Sequence, residues 1–260
     1  MKRFMNMGNS SIGIAVITKN EVDRIGRLLK SVDFANEILV VDSGSTDGTQ
    51  DLCREMGAKV VFNDWPGFGP QKQFAMEQIR SEWILNLDAD EEVSVELAEE
   101  MIEAVSNAEP QVNGFSMPRL SKYLGRWIKH GGWYPDYKIR LVRRGNSRWS
   151  DDAIHEKLHV DGKVRQLSKP ILHYVYRGIS DHVETINRFS DVYALGRTPA
   201  GSGFVLAGVG HAIVKLLECY VWKLGILDGV PGLIIAMNSS WYVFLKHAKR
   251  WEQNIWDNIK

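Results

Sequence analysis

The sequence is poor in cysteine and carries no excess of either charge. Its two cysteines, Cys53 and Cys219, form no Cys-x-x-Cys pair, which excludes a disulfide framework and favours a reducing compartment. Lysine plus arginine and aspartate plus glutamate number 32 each, so the formal net charge is zero. A chain without net charge has no overall field that attracts nucleic acid, and we expect no nucleic-acid partner. Any electrostatic function must therefore be local.

Long uninterrupted hydrophobic runs are also missing. No apolar stretch near the N-terminus suits a signal peptide, so we expect a cytoplasmic protein. Residues 198–214 and 229–245 contain no charged side chain, but their length is at the lower limit for spanning a bilayer. Both segments contain glycine and serine, and the first also contains histidine and the second asparagine. Nearby lysine, arginine, tryptophan and tyrosine favour helices that lie at a membrane interface. Core or oligomer packing and a true span are the alternatives.

Strand and helix patterns alternate along the first ninety residues. Short runs rich in β-branched residues predict four strands, at Ile12–Thr18, Glu37–Asp42, Lys59–Phe62 and 83–87. Helical spacing between them predicts helices after an Asn20 cap, over 49–56 with Ser45 or Thr46 as cap, and over 70–80. Such alternation predicts right-handed βαβ units, and hence an α/β fold with a mostly parallel sheet and flanking helices. We expect this domain to cover 1–178, with a helical appendage at 179–260.

The loop after the first predicted strand has no glycine. It consists of Thr18-Lys19-Asn20-Glu21, whereas a Rossmann dehydrogenase carries Gly-x-Gly-x-x-Gly at that point. This absence excludes the dehydrogenase. A nucleotidyltransferase also places carboxylates and a metal on an α/β sheet, and it stays an alternative, although the Gly-rich basic loop it usually has is missing here.

Acidic side chains stand where two of these strands end. Asp88 and Asp90 follow the fourth strand, and alternate residues of an extended segment point the same way, so both carboxylates can face one site. Hard oxygen ligands of this kind suit Mg²⁺ or Mn²⁺ bridging a diphosphate. Asp42 ends the second strand beside Ser43-Gly44-Ser45, where its carboxylate can accept hydrogen bonds from a base or ribose. Ordinary turn chemistry is the competing interpretation of both groups.

A basic and aromatic stretch covers 119–149. Within it, the guanidinium groups of Arg140 and Arg143 can bind a diphosphate or a phosphorylated acceptor. The side chains of Trp127, Trp133 and Tyr134 can pack on sugar faces, although burial in a core is the commoner role of aromatic residues.

Three segments together resemble the opening motifs of family 2 glycosyltransferases, which have the GT-A fold. The segments are Val16-Ile17-Thr18-Lys19-Asn20-Glu21, Val40 to Thr49 (VVDSGSTDGT) and Leu87-Asp88-Ala89-Asp90-Glu91, in the family's order and at similar spacing. The later Asp152-Ala153-Ile154-His155-Glu156 and Gly225-Ile226-Leu227-Asp228-Gly229 resemble the branch that contains lipopolysaccharide inner-core heptose β-1,4-glucosyltransferases.

The resemblance implies a role for each matching donor-site residue. Thr18, Glu21 and Asp42 would bind the nucleoside, with Asp42 facing uracil; Lys72 would contact the donor nucleotide, Asp88 would hold the ribose, and Asp90 would ligate a Mg²⁺ or Mn²⁺ cofactor.

Inversion at the anomeric carbon needs a carboxylate that removes the acceptor's proton. Many family members carry a Glu-Asp pair for this, whereas Tyr134-Pro135-Asp136 occupies the comparable place here and lacks the glutamate. We therefore expect Glu156 to be the base, with Asp136 as the second candidate. The neighbouring His155 is expected to contact the metal or a phosphate, or to orient the base; a hydrogen-bonded core histidine is the alternative.

The implied reaction transfers a sugar, glucose by resemblance, from a UDP-sugar to a lipopolysaccharide core or other glycolipid acceptor. The helical appendage would then hold the enzyme peripherally at the cytoplasmic face of the inner membrane, where such an acceptor lies. A catalytically silent sugar- or lipid-binding module is the alternative from a different class.

Overall fold

A computed structural model describes residues 10–151, 156–195 and 200–259. The chain divides into two compact units. The first consists of Met1–Arg119 and Tyr137–His173, and the second of Leu120–Asp136 and Tyr174–Lys260. The second unit thus joins a short segment from the middle of the sequence to the C-terminal helices.

The helices and strands follow one another along the chain with short connections. The N-terminal elements are β1 (Ile12–Thr18), α1 (Ile25–Ser31), β2 (Glu37–Asp42), α2 (Thr49–Glu55), β3 (Lys59–Phe62), α3 (Phe68–Glu77), β4 (Trp83–Asp88), β5 (Glu91–Val93) and α4 (Val95–Ser106). The strands that follow are β6 (Val112–Tyr123), β7 (Arg126–Trp127), β8 (Asp136–Arg143), β9 (Ser147–Trp149), β10 (Leu158–Val160), β11 (Lys163–Gln166) and β12 (Ile171–His173). Helices α5 (Ile179–Leu195), α6 (Ser202–Leu217) and α7 (Gly229–Ile259) complete the chain, with a π turn at Glu218–Trp222 and a 3₁₀ turn at Gly225–Asp228.

The first unit is built on a mixed sheet whose N-terminal half is parallel. The strand order is β3-β2-β1-β4-β8-β6-β12-β5, with β11 also on β6. Strands β3, β2, β1 and β4 run parallel, whereas β8 joins β4 antiparallel. The predicted α/β class, the four predicted strands and the C-terminal helical region are therefore confirmed.

Strand β1 is the centre of the core because it is apolar on both faces. Its side chains alternate between two hydrophobic clusters: Ile14 packs with residues of α1 and α4, and Ile17 packs with residues of α3. Helix α4 buries Leu97 and Met101 on one side. Burial of each such side chain contributes roughly 1.5–3 kcal/mol, which holds helices on both faces of the sheet.

Two predicted helix caps are wrong. Asn20 has φ 57° and does not cap α1, which begins at Ile25; its Oδ1 instead accepts a hydrogen bond from the Thr46 N–H at 2.9 Å. Helix α2 has Gly48 at its N-cap position without a side-chain cap, and Asp47 Oδ1 accepts from the Thr49 N–H. The polar residues expected to cap each helix therefore tie the two loops to each other.

The second unit has an aromatic core around a buried histidine. Tyr123, Ile128 and Ile235 form its centre, with Trp133 and Tyr176 packed against them. Trp133 therefore has the commoner role of an aromatic residue, core packing, and its ring lies 5.7 Å from that of Tyr123.

His182 lies in this core as a neutral imidazole. Its Nδ1 is 3.0 Å from Tyr123 Oη and 2.9 Å from the amide nitrogen of Asn238, which can only donate. Burial lowers the pKa of His182 to about 4, against a weaker opposing effect of Asp181. A proton on Nδ1 would also displace the Asn238 donor.

The free energy of unfolding should therefore decrease as the pH is lowered from about 6.5 to 4, because the unfolded chain binds a proton that native His182 excludes. The loss is on the order of 2–3 kcal/mol by linkage. The measurement is the free energy of unfolding in urea as a function of pH across this range, for wild type and for His182→Gln. The part of the pH dependence that comes from His182 should be absent in His182→Gln. His159→Gln, at an exposed histidine on β10, is the matched control and should keep the wild-type slope. Equal slopes for wild type and His182→Gln would contradict the assignment.

Candidate active site

Three predicted site residues meet at one edge of the sheet. Thr18 pairs with Asp42 in the β1–β2 register, and Ile17 pairs with Asp88 in the β1–β4 register. Parallel strands bring their carboxyl ends together, which is where open α/β sheets bind ligands. The strand register thus places Thr18, Asp42 and Asp88 beside one another at the strand ends.

The carboxylate of Asp42 organises the turn after β2. Its Oδ1 accepts hydrogen bonds from the Gly44 N–H at 3.0 Å, the Ser45 N–H at 2.9 Å and the Gln50 amide at 2.6 Å. The Ser45 hydroxyl donates to Oδ2. Gly44 has φ 85°, a conformation that glycine adopts without a steric penalty. The turn interpretation of Asp42 therefore holds, and the side chain is fully buried.

Thr18 and Glu21 flank this turn. The Thr18 side chain is buried, and its Oγ1 has no hydrogen-bond partner within residues 10–151, 156–195 and 200–259. The Glu21 N–H donates to Thr49 Oγ1 at 2.9 Å, and its carboxylate lies 3.8 Å from Arg24 Nε. A buried hydroxyl without a partner is uncommon and marks a place where a ligand can supply one.

Lys72 joins two carboxylates that are far apart in sequence. Its Nζ lies 2.9 Å from Asp88 Oδ1 and 2.8 Å from Glu156 Oε1, and it stands 4.9 Å above the ring of Trp149. The lysine side chain is 8% exposed, so these ion pairs are largely shielded from water. The predicted base, Glu156, is therefore in the same cluster as Asp88.

Arg140 holds the other side of Asp88. Its Nη2 lies 2.6 Å from Asp88 Oδ2 and 2.7 Å from Glu91 Oε1. Burial alone would raise the pKa of Asp88, but Arg140 and Lys72 outweigh it and hold that pKa well below its usual range. Burial likewise opposes the charge on Arg140, and the carboxylates of Asp88 and Glu91 raise its pKa despite this. Asp88 and Arg140 are therefore both charged at neutral pH.

The Asp90 carboxylate faces a histidine that the sequence analysis missed. Asp90 Oδ2 lies 3.4 Å from His173 Nε2 and 3.3 Å from Arg24 Nη1. His173 is buried at the end of β12, where it pairs with Glu91 of β5. The only local signal for it was its place at the end of a short apolar strand.

The pair of Asp90 and His173 offers one carboxylate oxygen and one imidazole nitrogen, which are ligands that suit Mn²⁺. In the part of the chain that the structure describes, no three histidine, cysteine, aspartate or glutamate side chains are grouped to hold a metal. Mg²⁺ commonly takes only one or two protein carboxylates and completes its shell with water and phosphate oxygens, so two protein ligands are sufficient. The predicted ligand His155 lies outside the described residues.

Arg143, the other predicted arginine, is not part of this cluster. Arg143 lies opposite Trp83 at the start of β4, pairs with Glu82 at 2.8 Å and stacks over the Trp83 ring. This position does not support a donor-binding role, because residues three apart on a strand point to opposite faces and Arg140 is the one that faces Asp88. Asp136 begins β8 and belongs to the second unit.

A glycine on α3 makes room for the loop that carries Glu156. A Cβ on Gly69 would lie 1.9 Å from the Ser150 carbonyl oxygen and 3.6 Å from Glu156 Cβ. Only glycine therefore allows α3 and this loop to approach closely enough for Lys72 to reach Glu156.

Known proteins with similar sequences identify the family. A model of glycosyl transferase family 2 matches residues 13–158. A glycosyltransferase of Rickettsia felis is 47% identical over 252 residues, which cover 92% of this chain and 88% of the relative. The lipopolysaccharide core biosynthesis glycosyltransferase LpsC of Rhizobium meliloti is 27% identical over 251 residues, which cover 92% of this chain and 91% of the relative. Among solved structures, mannosyl-3-phosphoglycerate synthase from Rubrobacter xylanophilus is 16% identical. The match covers 69% of this chain and 70% of that protein, with a TM-score of 0.49. Because the family match spans more than half of the chain and a relative of nearly the same length is 47% identical, this chain belongs to glycosyl transferase family 2 and is a glycosyltransferase.

Proposed function

We propose that the protein transfers glucose from a UDP-sugar to a hydroxyl of a lipopolysaccharide core or other glycolipid acceptor, with inversion. The observation that carries this proposal is the buried Lys72, which joins the carboxylates of Asp88 and Glu156 at the carboxyl edge of the sheet. A donor-side residue and a candidate base thus lie in one cluster. The name of the relative LpsC supports the choice of a lipopolysaccharide core acceptor.

The nucleoside of the donor is held by Thr18, Glu21 and Asp42. The buried Thr18 hydroxyl, which has no partner among the described residues, supports a ligand at the end of β1. Asp88 binds the ribose, and Lys72 and Arg140 supply positive charge beside it. Positive charge at this point stabilises the negative charge that develops on the departing nucleoside diphosphate.

A divalent cation, Mg²⁺ or Mn²⁺, would be held by Asp90 and His173, and His155 stays a further candidate ligand. The Asp90 oxygen and the His173 nitrogen lie 3.4 Å apart, a separation that two ligands of one cation can have. When bound, the cation neutralises charge on the diphosphate.

Glu156 removes the proton from the acceptor hydroxyl, with Asp136 as the second candidate. The Glu156 carboxylate is 17% exposed, so an acceptor can reach it from solvent. Its position depends on the close contact of Gly69 with Ser150.

Gly69→Ala should therefore lower the rate of sugar transfer by roughly 100-fold, since a displacement of about 1 Å at a reacting group has an effect of this size. The clash with the Ser150 carbonyl moves the Glu156 loop away from Lys72. The measurement is kcat for transfer together with the affinity for UDP, which should change little. Gly26→Ala is the matched control: its Cβ would lie 3.6 Å from Leu52, an ordinary contact, and the transfer rate should stay within a factor of about two of wild type. A wild-type rate for Gly69→Ala would contradict the assignment of Glu156 to the active site.

The C-terminal helices hold the enzyme on the cytoplasmic face of the inner membrane. The segment Ser202–Trp222 is long and apolar enough to cross a bilayer, with a mean hydropathy of 1.6, and only 17% of its most apolar part is buried. A position along the surface is favoured over a span because Lys215 and Glu218, which pair at 3.0 Å, would otherwise lie within hydrocarbon. Exposed Leu206 and Ile213 would face the lipid.

The test of the proposed reaction is a panel of nucleotide-sugars assayed for stabilisation and turnover. A ligand that binds only the folded state raises the melting temperature. UDP-glucose with Mn²⁺ or Mg²⁺ should raise it and be turned over, and both effects should disappear with EDTA and in Asp90→Ala. Stabilisation without turnover on any glycolipid acceptor would favour the silent binding module, and release of pyrophosphate from a nucleoside triphosphate would favour the nucleotidyltransferase.

A further inference from the structure

The turn between α6 and α7 forms one side of a basic and aromatic cleft that the proposed reaction does not use. The cleft has a volume of about 330 Å³ and is open to solvent. One wall comes from Lys129, His130 and Tyr134, and the other from Trp222, Lys223 and Leu224. All of these residues belong to the second unit. A cleft with two lysines and two aromatic side chains has the composition of a site for an anionic group attached to an apolar body.

Buried Asp228 fixes the two walls of the cleft together. Its Oδ2 accepts hydrogen bonds from the Lys129 N–H at 3.2 Å and the His130 N–H at 2.8 Å, and its Oδ1 lies 3.2 Å from His130 Nδ1 and 3.6 Å from Arg126 Nε. The Arg126 guanidinium also donates to the Leu227 carbonyl at 2.9 Å. The Gly225-Ile226-Leu227-Asp228-Gly229 segment thus has a structural role here: it holds the basic loop against the turn.

Glycines place the Lys223 ammonium in the cleft. Gly131 has φ 67° and donates its N–H to the Lys223 carbonyl at 2.8 Å. Gly132 has φ 84°, and a Cβ there would lie 2.9 Å from Lys223 Cδ and 3.2 Å from its Nζ. Glu218 pairs with Lys223 at 2.5 Å, but it also pairs with Lys215, so positive charge is in excess around the turn.

The same turn presents a group of exposed apolar side chains to solvent. Val221, Trp222, Leu224, Ile226 and Leu227 are each half or more exposed. Leu224 adopts φ 56°, which is uncommon for a residue with a branched side chain and directs the chain sharply through the turn. Apolar and aromatic side chains beside lysines are typical of segments that enter the headgroup layer of an anionic membrane.

We propose that this cleft binds the phosphate of an anionic phospholipid headgroup while the exposed side chains of the turn enter the bilayer interface. Lys129 and Lys223 provide the charge, and Tyr134 and Trp222 contact the glycerol and upper acyl region. The inference rests on the membrane association proposed above and uses no residue assigned to donor binding or to proton removal. It assigns the membrane contact to a specific site at the turn rather than to the apolar faces of α6 and α7 alone.

The test uses the full-length protein and sedimentation with vesicles of phosphatidylcholine, with or without phosphatidylglycerol. Wild type should bind the anionic vesicles more tightly. Lys129→Ala/Lys223→Ala should weaken that binding by about 25-fold, since each basic side chain near an anionic surface contributes about fivefold. Binding to pure phosphatidylcholine should change less than twofold. The matched control is Lys59→Ala/Lys163→Ala, which removes the same charge from exposed positions of the first unit and should bind like wild type.

The possible failures are distinct. Equal weakening by both double variants would mean that overall charge, and not the cleft, attracts the lipid, and would overturn the inference. Unchanged binding of Lys129→Ala/Lys223→Ala would overturn it too, with membrane association intact. Absence of wild-type binding to either vesicle would overturn the proposed membrane association and the cleft assignment together, whereas the assay of UDP-glucose turnover would be unaffected.

Discussion

Glu156→Gln should lower kcat for sugar transfer by about 10²–10⁴-fold and leave the affinity for UDP almost unchanged. A general base contributes about this factor, and the amide cannot accept the acceptor's proton. Donor binding should persist because Lys72 keeps its ion pair with Asp88, 2.9 Å away, when its partner at 2.8 Å becomes neutral. The measurement is single-turnover transfer together with calorimetric titration of UDP.

Asp136→Asn is the comparison for this prediction, because Asp136 is the second candidate for the base. If Glu156→Gln transfers at the wild-type rate and Asp136→Asn does not, the base is Asp136. If both variants lose transfer, then a pH–rate profile separates them: only the variant that keeps the base retains the acidic limb of the profile.

Arg140→Met should destabilise the protein by about 3–5 kcal/mol, the effect expected when one partner of a buried ion pair is removed. The Glu91 side chain is completely buried, and Arg140 is its close cationic partner at 2.7 Å; Arg119 is 3.8 Å away. The Glu91 carboxylate also accepts a hydrogen bond from the Asp88 N–H at 3.0 Å. The free energy of unfolding in urea measures the loss.

Arg143→Met provides the matched control on the same strand. Arg143 pairs with Glu82, whose side chain is 40% exposed, so the change should cost about 1 kcal/mol or less. A second variant, Arg140→Met with Glu91→Gln, should recover part of the loss because it removes the uncompensated charge. Equal effects of Arg140→Met and Arg143→Met would show that the buried cluster does not stabilise the fold.

Local sequence patterns were sufficient for the parallel half of the sheet. Strand β1 is apolar along its whole length, and β2 and β4 end in Asp42 and Asp88, so the sequence located these acidic side chains at the carboxyl ends of parallel strands. Local patterns failed at the helix caps. Asn20 looked like a cap for the helix that follows it, but its side chain bonds to Thr46, 26 positions away.

The sequence by itself therefore determined the family, the α/β class and the acidic strand end at Asp88, because each depends on neighbouring residues or on motifs at fixed spacing. Tertiary structure alone decided which side chains surround these motifs. Lys72 meets Glu156 across 84 positions and Arg140 meets Asp88 across 52, while Arg143, three residues further on, points to the opposite face. Strand order and register create such contacts, as they do for His173 and Asp90, and hydrophobic periodicity along one segment contains no information about which distant strand will lie beside it.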